Sequence, residues 1–377
     1  MDNNNIKPRL LWVDTAKGIC ILLVILVHTT ENILSDFPQI STMLRAIRMP
    51  LYYTIAGLFI SIHNDSSFIE KKINKLIIPY CFFVLLGNIA RYIKHMVDGV
   101  EFTYFSPLYY AITEDKDWLF YNYPIWFLVS LFDVYIIYLI INKIACKMNK
   151  HSTFIKIALS ICAGLCGFAC NRKSIDLPFF LDSSLYAMPF FIFGHISMSK
   201  TRVFKHEYNR ISLFLFTIIL FSIAFITADG DINYYRNDIK TKLFHAYFPC
   251  MIGVTASLLL SKLINKIPII TRIGRYSIAY LGTHALFLRD IRIIVETQMG
   301  IHNGIIVDMI TFITTILLSS ISCWIMLKYV PFLIAQKDCV YFCKKINNIP
   351  ILLNLYASTT ERIKRQSLMY RLATIFG

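Results

Sequence analysis

Four ionisable side chains stand inside one apolar stretch near the start of this sequence. Between Leu10 and Ile33, LLWVDTAKGICILLVILVHTTENI, lie Asp14, Lys17, His28 and Glu31. The stretch is long and apolar enough to cross a membrane as a helix. Ionisable groups in such a helix are costly unless they face protein or water, so each is a candidate for chemistry. Lys17 and His28 are eleven residues apart, about three turns, which sets them on one helix face roughly 16 Å from each other. Asp14 precedes Lys17 by three residues and Glu31 follows His28 by three, on much the same stripe. An imidazole titrates near pH 6.5 and can take and return a proton, which is what a general base acting on a hydroxyl must do. His28 is therefore the candidate catalyst, with Glu31 and Asp14 as carboxylates that orient or balance it. Lys17 is a cation suited to a phosphate or carbonyl oxygen. Two blander readings compete: Asp14 and Lys17 as a structural ion pair, and His28 as an interfacial histidine bonded to a neighbouring helix.

The elements that hold these residues follow from composition. The 377 residues are 56% hydrophobic and 16% charged, with mean hydropathy +0.56, against about 25% charged in a soluble domain. The expected fold is an all-α polytopic membrane protein. Ten spans are predicted, roughly 10–33, 44–62, 76–93, 124–146, 153–170, 178–199, 211–228, 243–261, 273–294 and 304–327. The first apolar run is too long for a cleaved signal. No internal repeat is evident, which disfavours repeat-built transporters. Basic residues fall in alternate loops: Lys7 and Arg9, then Lys71, Lys72 and Lys75, then Lys143, Lys147 and Lys150, then Lys200, Arg202, Lys205 and Arg210, then Lys262, Lys266 and Arg272. The opposite loop 94–123 carries Asp98, Glu101, Glu114, Asp115 and Asp117 against Lys94 and Lys116. This asymmetry predicts both termini in the cytoplasm. It puts Lys17 in the cytoplasmic half of the first span and His28 near the outer surface. A membrane domain over 1–335 and a basic, partly amphipathic cytoplasmic tail over 336–377 are expected, the tail lying on lipid.

The net charge of +15 would suggest nucleic acid in a soluble protein. Here basic loops that fix orientation and touch anionic lipid account for it, and no nucleic-acid partner is expected. Lys72 and Lys75, where span two hands over to span three, would present two cations on one helix face, a match for a polyphosphate. Arg45 and Arg48 lie at the depth of His28 and Glu31. With Trp126 and His284 they are the substrate-binding candidates. His284 sits mid-span in IAYLGTHALFL, and Asp133 and Asp182 also need partners inside spans. Trp118 and the tyrosines of loop 94–123 read as an interfacial belt or a sugar surface. Cys162, Cys166 and Cys170 are one turn apart and read as small thiols packing a helix seam, with no metal site expected. Cys339 and Cys343 in the tail are weak lipidation candidates. There is no His-Glu-x-x-His pattern, nucleotide glycine loop or Gly-x-Ser-x-Gly elbow.

The segment VDTAKGICILLVILVHT, with its basic residue, ten residues and then histidine, resembles the first span of the integral-membrane acyltransferase 3 family. Its Asp-x-Ala-Lys-Gly wording is most similar to the fucose 4-O-acetylase-like branch. Further similarities follow in family order: RMPLYYTIAGLFIS (Arg48 to Ser61), KKINKLIIPY (Lys71 to Tyr80), PIWFLVSLF (Pro124 to Phe132), MPFFIFGHI (Met188 to Ile196) and GRYSIAYLGTHALF (Gly274 to Phe287). Together they cover roughly residues 9–330. The resemblance implies ten or eleven spans and transfer of an acyl group, often acetyl from cytosolic acetyl-CoA, to extracytoplasmic glycans. It implies a catalytic role for His28. It also implies donor binding at Lys72 and Lys75, which occupy the positions of an Arg-x-x-Arg motif. Lysine keeps the charge there but lacks the fork that grips phosphate bidentately.

The expectation is thus an O-acetyltransferase in a bacterial cytoplasmic (inner) membrane. It would use acetyl-CoA as co-substrate, hold no permanent cofactor, and modify a hydroxyl of a surface polysaccharide or its lipid-linked precursor. Lys17, Lys72 and Lys75 would meet the donor. His28 would act as general base or as transient acyl carrier. The rival is a polysaccharide exporter of the same family, which would need an open polar lumen and no reactive histidine.

Overall fold

A backbone in hydrocarbon must satisfy its own hydrogen bonds, and long apolar runs do so as helices. The computed structural model describes residues 10–60, 62, 65–99, 122–148, 152–199 and 209–339. Lys7, Arg9, Glu101, Glu114, Asp115, Asp117, Trp118, Lys150, Lys200, Arg202, Lys205 and Cys343 lie outside the described residues, as does the tail beyond 339. In chain order the helices are α1 Leu11–Thr29, α2 Glu31–Asp36, α3 Pro38–Leu58, α4 Asp65–Lys72, α5 Ile78–Asp98, α6 Trp126–Lys147, α7 Ser152–Arg172, α8 Leu181–Ser199, α9 Arg210–Thr227, α10 Leu243–Leu263, α11 Pro268–Arg275, α12 Ser277–Ile293 and α13 Gly304–Tyr329. One departure from an all-α chain is a two-stranded antiparallel hairpin, β1 Ile232–Asn233 with β2 Asp238–Ile239. Its turn is built by Asn233, whose Oδ1 accepts from the Tyr235 N–H at 3.1 Å, as short polar side chains do in turns.

Eight helical segments among the described residues are long and apolar enough to cross a membrane. Of the ten predicted spans, the two that fall short are α3 and α12. Both exist as helices, but α12 has 17 residues and carries Arg289, Asp290 and Arg292, and α3 is diluted by Arg45, Arg48 and several hydroxyls. Polar helices of this kind belong in the interior. The segment containing α6 has 72% of its apolar window buried, whereas α7 has 17%. Helices α1, α6, α8 and α10 thus surround the interior, and α5, α7, α9 and α13 face outward.

Close backbone approach locks α1 in place. Gly18 lies against the Ile270 carbonyl, and Gly274 of α11 lies against the Asp14 carbonyl and the Gly18 nitrogen, so a Cβ at either glycine would collide with backbone. Thr15 Oγ1 and Thr271 Oγ1 share a hydrogen bond of 3.1 Å across the same contact. Small residues at helix interfaces permit such approach. On α7 the seam is likewise made by Gly164 and Gly167, while Cys162 and Cys166 are exposed and Cys170 is half-buried. The seam role expected of those thiols is therefore filled by the glycines, which alone allow contact with Pro189 and Tyr186 of α8.

Between α4 and α5 the chain passes through a π-helical turn, Ile73–Ile77, just before Pro79. Asn74 inside it is buried; its amide donates to the Glu70 carbonyl at 3.0 Å and its Oδ1 accepts from the Cys339 N–H at 2.7 Å. The last described residue thereby meets the end of the bundle that carries Lys71, Lys72 and Lys75. Gly274→Val should destabilise the protein by about 1–3 kcal/mol, the usual cost of overpacking. A fall in the thermal midpoint of the purified protein in detergent reads this out, and an unchanged midpoint would deny the α1–α11 lock.

Candidate active site

His28 occupies the last turn of α1, and the structure fixes that turn from above. Thr29 and Thr30 return their hydroxyls to the Ile25 and Leu26 carbonyls at 2.9 and 2.7 Å. The Thr29 carbonyl, an orphan at a helix end, accepts from Arg292 Nη2 at 3.0 Å. Arg292 is ion-paired with Asp308 of α13 at 2.7 Å. Asp308 is fully buried; it also accepts from Asn32 Nδ2 at 3.1 Å and from the Ile33 N–H at 2.8 Å. One buried carboxylate thus gathers α12, α13 and the α1–α2 corner. Sequence reasoning passed over it, although the rule that marks Asp133 and Asp182 applies equally to an aspartate within α13.

Both nitrogens of the half-buried His28 ring have partners. Nδ1 lies 2.7 Å from the Tyr123 hydroxyl, and Nε2 lies 3.4 Å from Arg48 Nη1 on α3. A guanidinium only donates, so Nε2 is the acceptor and carries the lone pair. The ring proton then sits on Nδ1 and is donated to Tyr123. That tautomer is assigned from the partners. The Arg48 contact is long, and Arg48 Nε is buried without a hydrogen-bond partner among the described residues. This fork of donors beside an imidazole lone pair is under-used, an arrangement suited to a carbonyl or oxyanion oxygen.

Tyr123 is held by its neighbour. Asn122 donates to the Gly282 carbonyl at 2.9 Å and to the Phe83 carbonyl at 3.3 Å, tying the turn Tyr123–Ile125 to α12 and α5. Gly282 is two residues before His284, whose ring stacks on that of His28 with centroids 5.8 Å apart and planes 24° from parallel. Trp126 is buried one ring further out: Tyr235 of the hairpin bridges it to Tyr123, at 6.0 and 6.2 Å. Tyr123 and Tyr235 escaped sequence reasoning. Tyr123 stands at the edge of the aromatic-rich loop, but its partner is 95 residues away, which no local pattern reveals.

The remaining predicted residues separate into two groups. Arg45 bonds Ser41 Oγ at 3.2 Å and pairs with Asp231, just before the hairpin, at 3.9 Å, within charge range of His28. Glu31 is exposed in the first turn of α2, within charge range of Tyr123, the residue that bonds His28 Nδ1. Asp14 and Lys17 lie towards the start of α1, away from the imidazole; Asp14 is buried against Gly274. At that end Lys72 lies within charge–charge range of Lys17, Lys71 and Lys75. Its ammonium rests 3.5 Å from the Tyr135 ring centroid and 5.1 Å from that of Phe68. Lys72 is half-buried and Lys75 exposed, so the shared α-helical face expected of them is replaced by the wider π turn. Asp133 Oδ2 is buried with no hydrogen-bond partner among the described residues. Beside α12, on the face carrying Thr283, Leu286 and Phe287, runs an apolar groove of about 580 Å³ shared with α5 and α13. The Lys94–Asp290 ion pair lies within it.

Asp308→Ala leaves the half-buried Arg292 without its carboxylate and Asn32 and the Ile33 N–H without their acceptor, so about 1–3 kcal/mol of stability should be lost. Chemical or thermal unfolding in detergent measures this; a change under 1 kcal/mol would remove Asp308 from its organising position.

Comparison with known proteins gives one family. The model described as an acyltransferase domain, acyltransferase 3, matches residues 10–328, which include every residue of the site. No curated protein and no solved structure matches. The chain is a multi-pass membrane protein and an acyltransferase, a member of the acyltransferase 3 family.

Proposed function

We propose that the protein is an O-acetyltransferase, carrying acetyl from cytosolic acetyl-CoA to a hydroxyl of a bacterial surface polysaccharide or its lipid-linked precursor. The carrying observation is the His28 ring, with an Nε2 lone pair facing the under-used donors of Arg48. A cluster of four lysines near the other end of the same helix supports the direction of transfer. The donor's phosphates dock at Lys72 and Lys75 on the cytoplasmic face, where Coulomb attraction favours them. Lys17 lines the way, and the pantetheine arm spans the roughly 16 Å to His28. At His28 the reacting nitrogen is Nε2, which takes either the acceptor's proton or the acyl group. Arg48 receives the charge that develops on the acyl oxygen.

Tyr123, Tyr235 and Trp126 form an aromatic wall beside the imidazole, suited to the apolar face of a sugar. The groove beside α12 has room for an apolar chain, in keeping with a lipid-linked acceptor. Similarity of the first span to the fucose 4-O-acetylase-like branch is the reason to name a glycan. The inner membrane of a bacterium is the setting this requires.

Replacing His28 by Ala should abolish glycan acetylation, by at least about 100-fold, while protein level in membranes stays normal. Retained acetylation at normal protein level would remove His28 from the chemistry. Changing Lys72 and Lys75 together to Gln should weaken acetyl-CoA binding about tenfold or more, measured by calorimetry on the purified protein. An unchanged affinity would leave the pair as orientation signals only.

A further inference from the structure

Inside the site a second imidazole is unaccounted for. His284 is fully buried in α12. Its Nδ1 lies 3.0 Å from the Tyr280 carbonyl, one turn earlier on its own helix. A carbonyl only accepts, so Nδ1 carries the proton and Nε2 the lone pair. That Nε2 is buried and has no hydrogen-bond partner among the described residues. A buried polar atom left unpaired costs about 1–3 kcal/mol, and such atoms in native structures call for an explanation such as a catalytic role. Packing does not supply one, because an apolar side chain of similar size would fill the space without the cost. The His28 nitrogens are in the opposite condition, both engaged, by Tyr123 and Arg48.

We infer that the two imidazoles divide the reaction: His284 Nε2 receives the acceptor hydroxyl and takes its proton, which leaves His28 Nε2 for the acyl group. The rings are 5.8 Å apart and nearly parallel, so a hydroxyl attacking an acyl group on one ring lies within reach of the other. The steps balance. The His28 Nε2 lone pair attacks the thioester carbon and the C–S bond breaks, giving a thiolate and an acylimidazolium that keeps its Nδ1 proton. The acceptor oxygen then attacks the acyl carbon, and the C–N bond returns its electron pair to Nε2. The hydroxyl proton passes to His284 Nε2 and from there to the thiolate. The products are an ester and a free thiol, and both imidazoles are neutral again. Arg48, beside His28, faces the acyl oxygen in both steps. This inference rests on the acyl-transfer reading and adds to it the identity of the base and the order of events.

The test separates a base from a packing residue by changing the acceptor. Hydroxylamine attacks acyl groups without a base, whereas a sugar hydroxyl needs one. Purified protein in detergent is given labelled acetyl-CoA with either hydroxylamine or the isolated surface glycan. His284→Gln retains an acceptor oxygen near the Nε2 position but cannot take up the proton. The ratio of glycan transfer to hydroxylamine transfer is expected to fall about 100-fold or more in this variant. His28→Ala is expected to lose both transfers. An unchanged ratio overturns the inference, whether both rates persist or both fall together, the latter being the mark of a structural role. Wild-type protein that acetylates neither acceptor, though it binds acetyl-CoA, overturns the acyl-transfer reading itself.

Discussion

A guanidinium can donate hydrogen bonds and cannot accept them, and on this the state of His28 depends. Because Arg48 stands on the Nε2 side, that nitrogen holds the lone pair, and the proton is directed to Nδ1 and Tyr123. The rest of the architecture keeps those three groups at one depth. Helix α3 brings Arg48 inward, packed so closely on α8 that Gly57 and Gly194 each lie against a backbone carbonyl of the other helix. Asn122 fixes Tyr123 to α12. Asp308, through Arg292 and Asn32, fixes the end of α1. Each of these contacts joins elements distant in sequence, and each uses a polar group that membrane burial forces into partnership.

The same constraint explains why the bundle has two kinds of helix. Those facing outward carry long apolar windows and are easily recognised. Helices α3 and α12 are too polar or too short to cross a membrane by composition alone, and they bring Arg48 and His284 to His28. Their polarity is tolerated because α1, with its ionisable stripe, lies against them. Of the lysine cluster Lys17 alone stands on α1, towards its start, while His28 occupies the last turn of the same helix.

Much of this was legible in the sequence. Each of the ten predicted spans contains a helix, eight of them long and apolar enough to cross a membrane, and depth reasoning put Arg48 level with His28. Lys17 and His28 both lie on α1, as expected, with His28 in its last turn. What the sequence hid was of another kind. Tyr123 meets His28 across 95 residues and Asn32 meets Asp308 across 276; such pairings have no period. The π turn at Ile73–Ile77, where Asn74 meets the Cys339 N–H across 265 residues, undoes an i, i+3 argument that assumed an α-helix. Glu31 shares the stripe of His28 on paper, but α1 ends at Thr29 and the chain bends at Thr30, so the stripe ends with it. The cysteines of α7 follow a helical spacing that fits a seam or an outer face alike, and the neighbouring glycines decide between them.

The chemistry open to His28 turns on which of its nitrogens bears the proton. The ¹⁵N resonances of histidine-labelled protein, with His28 assigned by comparison with His28→Gln, report this directly in detergent at neutral pH. The expected result is a protonated Nδ1 and an unprotonated Nε2, with Arg48→Gln removing the contact that selects this tautomer. A His28 ring protonated at Nε2 would contradict the account, because the lone pair would then face Tyr123 and not the donors of Arg48.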